Sequence, residues 1–151
     1  MIYLMRHADA VANDVDAVRA LSPKGREQVA KVCAALSKVP SFRPVEIWHS
    51  PLLRSKETAS LLAEGLGLSA PQLLKPGLEP DDDPGIIAAV LRDEQRDIAI
   101  VGHEPHLGVL SSMMVHGPKP GTIFFPFPKA GVLALARREK GWRSEWLVRA
   151  P

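Results

Sequence analysis

The sequence alternates between short apolar runs and amphipathic stretches opened by helix-start signals, and that alternation restricts the fold more than any other feature. Ile2-Tyr3-Leu4-Met5 is an apolar run that stops abruptly at Arg6-His7. A run so short reads as a buried strand. Leu21-Ser22-Pro23-Lys24-Gly25 then opens a helix, with Ser22 as the cap and Pro23 at the first helical position. That helix runs to about Lys38, and Pro40 prevents its continuation. Val45–His49 is strand-like. Ser50-Pro51 repeats the cap-then-proline device, and Leu52, Leu53, Ala59, Leu62, Ala63 and Leu66 line one face of the next helix. Gly65 and Gly67 end it. A short strand fits Leu73-Leu74, and Asp83-Pro84 caps a third helix carrying Ile86, Ile87, Val90 and Leu91. Asp97–Val101 is a buried strand that ends at Gly102-His103, and a fourth helix follows over about Leu107–Val115. The proline-rich stretch 117–129 reads as a loop. Gly131–Ala136 and Ser144–Val148 are late strands joined by a short connector containing Gly141, which makes them a hairpin. Alternation of this kind predicts an α/β three-layer sandwich: a mostly parallel central sheet, made mixed by the final hairpin, with helices on both faces.

The length, 151 residues, suits a single domain spanning 1–151. A chain of this size can bury roughly 70% of its unfolded surface without staples. The net charge of +2 gives no ground for a nucleic-acid or membrane surface, which needs clustered Lys and Arg. The one cysteine, Cys33, shares a helical stripe with Val29, Val32 and Leu36 and is expected in the core. It forms no internal disulfide, which fits a reducing compartment. No leader pattern precedes the first strand, and no stretch reaches the ~18 apolar residues of a membrane span. A cytoplasmic location is the expectation.

In parallel sheets, chemistry collects beyond the carboxyl ends of the strands. Arg6 and His7 follow the first strand. Arg54 stands in the first turn after the second, and His103 follows the fourth run. These four would share one edge of the sheet. Taken alone, Arg6 is an exposed arginine and His7 a loop histidine. Taken together, two guanidiniums and two imidazoles over a helix N-terminus form a site for a phosphoryl group.

Those residues lie in Leu4-Met5-Arg6-His7-Ala8, in Ser50-Pro51-Leu52-Leu53-Arg54-Ser55-Lys56-Glu57-Thr58-Ala59 and in Val101-Gly102-His103-Glu104-Pro105. On these motifs the chain resembles the histidine phosphatase superfamily, the phosphoglycerate mutase-like group. Its brevity, and Asp16-Ala17-Val18-Arg19-Ala20-Leu21-Ser22-Pro23-Lys24-Gly25 after the first motif, make it most similar to the small SixA-type phosphohistidine phosphatases. It departs from the family pattern at Ala8, where glycine is usual.

The resemblance implies that His7 is the nucleophile of a metal-independent phosphatase working through a phosphohistidine intermediate. A neutral imidazole, of ordinary pKa about 6.5, is competent for this near neutral pH. Arg6 and Arg54 are planar forks for the phosphoryl oxygens, and His103, when protonated, would add a third cationic donor. Water releases inorganic phosphate, and no cofactor is required. A general acid for an alkoxide leaving group is Glu79, Glu104 or neither. The short span Gly67–Asp97 leaves the site open. This favours a phosphohistidine-bearing protein, such as a phosphotransfer domain in a phosphorelay, over a small-molecule phosphomonoester, the alternative on the same fold. Arg19 would line the opening and bind substrate. A metal site built from His103, Glu104 and His106 is disfavoured, because Pro105 interrupts the spacing that a helical metal pair needs. His106 is expected as an ordinary residue of the helix start, and His49 and His116 as structural or exposed.

Overall fold

In a computed structural model, residues 1–117 and 125–150 are described. The strands are β1 (Ile2–Arg6), β2 (Glu46–His49), β3 (Gln72–Leu74), β4 (Ile98–Gly102), β5 (Val132–Arg137) and β6 (Trp142–Val148). The helices are α1 (Pro23–Leu36), α2 (Leu53–Leu66), α3 (Pro84–Arg92) and α4 (His106–His116), and a 3-10 turn covers Asp16–Val18. The strands form one sheet in the order β3-β2-β4-β1-β5-β6. Strands β1 to β4 pair in parallel, and β5 and β6 add antiparallel strands at one side. The sheet is mixed, as the late hairpin predicts.

Strand alternation builds the layers. Tyr3, Met5, Ile47, Ala99, Val101, Val132 and Ala134 face one way, onto Val29, Val32, Leu36, Ala59 and Leu62 of α1 and α2. Ile2, Leu4, Trp48, Ile98, Ile100, Leu133 and Leu135 face the other way, onto Ile87, Leu91, Leu107 and Leu110 of α3 and α4. Because successive side chains of a strand point to opposite faces, the central strands must be apolar throughout, and β4 is fully buried. Cys33 lies in the first of these layers, as its stripe predicts.

Register sets the position of the site. Arg6 pairs with Gly102 and His49 with Val101. The carboxyl ends of β1, β2 and β4 therefore fall within a residue of one another, and His7, Ser50 and His103 leave the sheet along one edge.

Helix starts bear out the cap signals at two of three places. Ser22 Oγ accepts the Gly25 amide at 3.0 Å, and Asp83 Oδ1 accepts the Gly85 amide at 2.9 Å. Gly25 also lets α1 press onto the preceding loop, since a Cβ there would lie 2.0 Å from the Asp9 carbonyl oxygen. At the third place the expectation fails. Helix α2 begins at Leu53, with Leu52 at the cap position and no side-chain cap; Ser50 stands ahead of the cap, its oxygen accepting the Leu52 amide at 3.3 Å and its hydroxyl bonded to His103. Gly65 does not end α2 either. It lies inside the helix, where Cys33 leaves no room for a Cβ, and Gly67, at φ 61°, is the left-handed residue that closes it. Within the expected loop 117–129, residues 118–124 lie outside the described residues. Among the described residues no helix is long and apolar enough to cross a membrane.

Candidate active site

His7 follows β1 directly. Its amide donates to the Gly102 carbonyl at 2.9 Å, and its own carbonyl accepts the Ala130 amide at 3.3 Å, so the backbone is held from both sides. Its ring Nδ1 stands 2.7 Å from the Ala8 carbonyl oxygen. A carbonyl can only accept, so Nδ1 carries the ring proton and Nε2 keeps its lone pair. The ring is largely buried. Burial, with the nearby charges of Arg54, Arg6 and Lys129, pushes its pKa down to about 4. The imidazole is therefore neutral at pH 7, the form a nucleophile needs.

Arg6 donates from Nη1 to the Phe127 carbonyl at 2.9 Å. Arg54, 5% exposed, donates from Nη1 to the Asp16 carbonyl at 3.1 Å, and from Nη1 and Nη2 to the Asp16 carboxylate at 3.3 Å each. Among the described residues, the Nε of both arginines is buried with no partner, and so is Nδ1 of His103. Buried donors left unpaired cost about 1–3 kcal/mol each. The charges of Arg6 and Arg54 act on His7, and unpaired donors of this kind suit an anion.

His103 leaves β4 with its ring centroid 5.0 Å from that of His7. Its Nε2 is 2.5 Å from Ser50 Oγ. Burial first, then the charges of His7, Arg54, His106 and Arg6, push its pKa down to about 3. Burial and neighbouring charge therefore favour the neutral ring of His103 over the third cation that the sequence allows for. The fold thus brings His7, Arg6, Arg54 and His103 together.

Arg19 shares the Asp16 carboxylate with Arg54. It donates from Nε to the Val11 carbonyl at 3.0 Å, and from Nη1 to Asp16 Oδ1 at 3.4 Å. It braces the loop whose Asp16 holds Arg54. The two acid candidates differ in setting. Glu104 is half-buried, and its Oε1 accepts the Gly108 amide at 2.7 Å, capping α4. Burial raises its pKa. Glu79 is exposed. His106 is buried in the first turn of α4, and His49 is buried with Nδ1 2.8 Å from the Ser50 carbonyl. Among the described residues no three His, Cys, Asp or Glu side chains form a metal-binding group.

The sequence marks Ser50 only as a helix-start signal and gives no site role to Asp16, Thr58 or Lys129. Thr58 Oγ1 accepts the Ala8 amide at 3.1 Å and donates to the Arg54 carbonyl at 2.7 Å, tying the His7 loop to α2. Lys129 pairs with Asp9 at 2.6 Å and lends its charge to the surroundings of His7. Asp16 and Thr58 lie within the quoted motifs, but only the folded chain shows what they touch.

Residues 2–79 match the family model described as the histidine phosphatase superfamily (branch 1). No curated protein matches the sequence. Among solved structures, the protein histidine phosphatase SixA complexed with tungstate is similar at TM-score 0.86 and 22% identity, over 99% of this chain and 96% of that one. A candidate phosphohistidine phosphatase SixA from Agrobacterium tumefaciens is similar at TM-score 0.80 and 19% identity, over 97% and 96%. The alpha-ribazole phosphatase from Shigella flexneri is similar at TM-score 0.77 and 18% identity, over 99% and 96%. At these identities the likeness is one of fold, and the α/β sandwich described above is phosphoglycerate mutase-like.

Proposed function

The chain belongs to the histidine phosphatase superfamily, and from that premise we propose that it hydrolyses phosphohistidine on a partner protein through a phosphoryl-enzyme intermediate on His7. Nε2 of His7 attacks phosphorus, and the bond to the leaving imidazole breaks as that imidazole takes up a proton. The phosphoryl group passes to Nε2, and its three oxygens gather charge as it moves. Arg6 and Arg54 stabilise that charge through Nε and the free faces of their guanidiniums, and His103 donates a neutral hydrogen bond. Positive charge that develops on the His7 ring is stabilised by the Nδ1–H bond to the Ala8 carbonyl. Water then attacks phosphorus, breaks the P–N bond and releases inorganic phosphate. Arg19 steadies the loop at the mouth of the site.

The observation that carries this reading is the Ala8 carbonyl on Nδ1 of His7. It leaves Nε2 bare, and three donors of the site are buried without partners among the described residues. The substrate class rests on openness. Between α2 and β4 the chain holds only β3, a polar loop and α3, with no long insertion to wall in a small molecule. A phosphotransfer domain in a cytoplasmic phosphorelay fits such a site. Imidazole leaves readily once protonated, so a dedicated acid matters less than it would for an alkoxide.

The test is brief incubation with a phosphohistidine protein, acid-free quenching and mass spectrometry. Phosphate is expected on His7, and His7→Ala should abolish both the adduct and turnover. Comparison of turnover on the phosphohistidine protein with turnover on sugar phosphates decides the substrate class. A preference for sugar phosphates by orders of magnitude would replace the protein substrate with a small phosphomonoester.

A further inference from the structure

We propose that Ser50 is a positioning residue that holds His103 in the tautomer protonated on Nδ1, so that His103 serves the phosphoryl group as an uncharged donor. The catalytic half of this inference rests on the phosphatase reading; the tautomer itself does not.

Ser50 is fully buried, and its hydroxyl has one hydrogen to place. Its oxygen already accepts the Leu52 amide at 3.3 Å. The other atom bonded to it is Nε2 of His103, at 2.5 Å. If Nε2 carried the ring proton and donated, the Ser50 hydrogen would lie buried without an acceptor. If Ser50 donates to Nε2, its hydrogen is placed and the ring proton must sit on Nδ1. Nδ1 is buried with no partner among the described residues, on the ring that stands beside His7. In this tautomer it offers an N–H to an anion. In the other it would offer a lone pair, which repels one.

The serine is itself held in place. Its amide donates to Ser55 Oγ at 3.2 Å, and Ser55 Oγ donates to the Val101 carbonyl at 2.7 Å. Ser50 is thereby fixed against both α2 and β4. His7 and His103 then share one tautomer and use it oppositely. His7 ties its Nδ1–H to Ala8 and presents bare Nε2, while His103 ties its bare Nε2 to Ser50 and presents Nδ1–H.

The tautomer can be read directly. In protein labelled with 15N-histidine, long-range 1H–15N NMR at pH 7, assigned with His103→Asn, should show a protonated Nδ1 and an unprotonated Nε2 for His103. Addition of inorganic phosphate should move the Nδ1–H resonance. In Ser50→Ala the proton should redistribute toward Nε2. With p-nitrophenyl phosphate, kcat should fall on the order of tenfold or more while KM changes little, and Ser50→Thr, which restores a hydroxyl, should recover most of the rate. A wild-type His103 protonated on Nε2, or on both nitrogens, overturns the proposal. So does Ser50→Ala with an unchanged tautomer and unchanged kcat. If the wild-type protein turns over no phosphorylated compound, the phosphatase reading fails, and the NMR result still decides the role of Ser50.

Discussion

The carboxylate of Asp16, carried on an exposed 3-10 turn, grips the guanidinium of buried Arg54 through both terminal nitrogens, at 3.3 Å each. The same side chain reaches Arg19 with its other oxygen. A fixed negative charge therefore sits against the arginine that the proposed reaction assigns to the phosphoryl group. Asp16→Asn keeps the size and one acceptor but removes the charge. Asp16 is exposed, so loss of that repulsion is about the 1 kcal/mol of charges screened by bulk water, and it should tighten inhibition by inorganic phosphate roughly fivefold at low salt. The difference should shrink as salt rises. Weaker phosphate inhibition in the variant would mean that Asp16 orients Arg54 and does not compete with the ligand.

Arg54 should not tolerate lysine. Its Nη atoms are committed to Asp16, while Nε is buried and unpaired among the described residues, so the fork serves two partners at once. An ammonium cannot do this. Loss of one preorganised donor typically costs about 3–4 kcal/mol of transition-state stabilisation. Arg54→Lys is therefore expected to lose roughly two to three orders of magnitude in kcat/KM. A loss below tenfold in steady-state kinetics would remove Arg54 from the reaction.

The two histidines predict how the protein responds to acid. His7 is held near a pKa of about 4 and His103 near about 3, in both cases chiefly by burial. Their folded values lie below the ordinary value of about 6.5, so below that pH the unfolded chain binds protons that the folded chain does not. Stability is then fully present above about pH 6.5 and is lost as the pH falls toward 4. His7 alone accounts for on the order of 3 kcal/mol of this loss at ~1.4 kcal/mol per unit. Thermal melts between pH 7 and pH 4 should fall steeply for the wild type and less steeply for His103→Gln. Over the same range kcat/KM should stay level until His7 begins to protonate, with its acid limb nearer pH 4 than pH 6.5.

The difference between what the sequence discloses and what it hides is physical. Arg6, His7, Arg54 and His103 are legible because each follows a short apolar run, and strand ends in a parallel sheet fall along one edge. The helix starts at Ser22 and Asp83 are legible because a cap is a local bond between residues two or three apart. Ser50 carries the same local signal, yet its hydroxyl is taken by His103, 53 positions along the chain. Asp16 and Thr58 are alike in this respect: their partners are Arg54 and Ala8, across the sheet edge. The lowered pKa of His103 is hidden for the same reason, since burial and neighbouring charges exist only once the chain has closed around it.

Thr58 gives the closing prediction, because it joins the two halves of the site. Its hydroxyl accepts the Ala8 amide and donates to the Arg54 carbonyl, and Ala8 in turn supplies the carbonyl that orients His7. Thr58 is fully buried. Thr58→Val preserves its shape but leaves the Ala8 amide unpaired, which costs about 1–3 kcal/mol, and it frees the loop that aims Nε2. Thr58→Ser keeps the hydroxyl and removes one methyl, at roughly 1 kcal/mol. Both variants should melt below the wild type. Only Thr58→Val should also lower kcat, because only it releases the loop that holds His7. Equal kcat values for the two variants, measured beside their melts, would reduce Thr58 to packing.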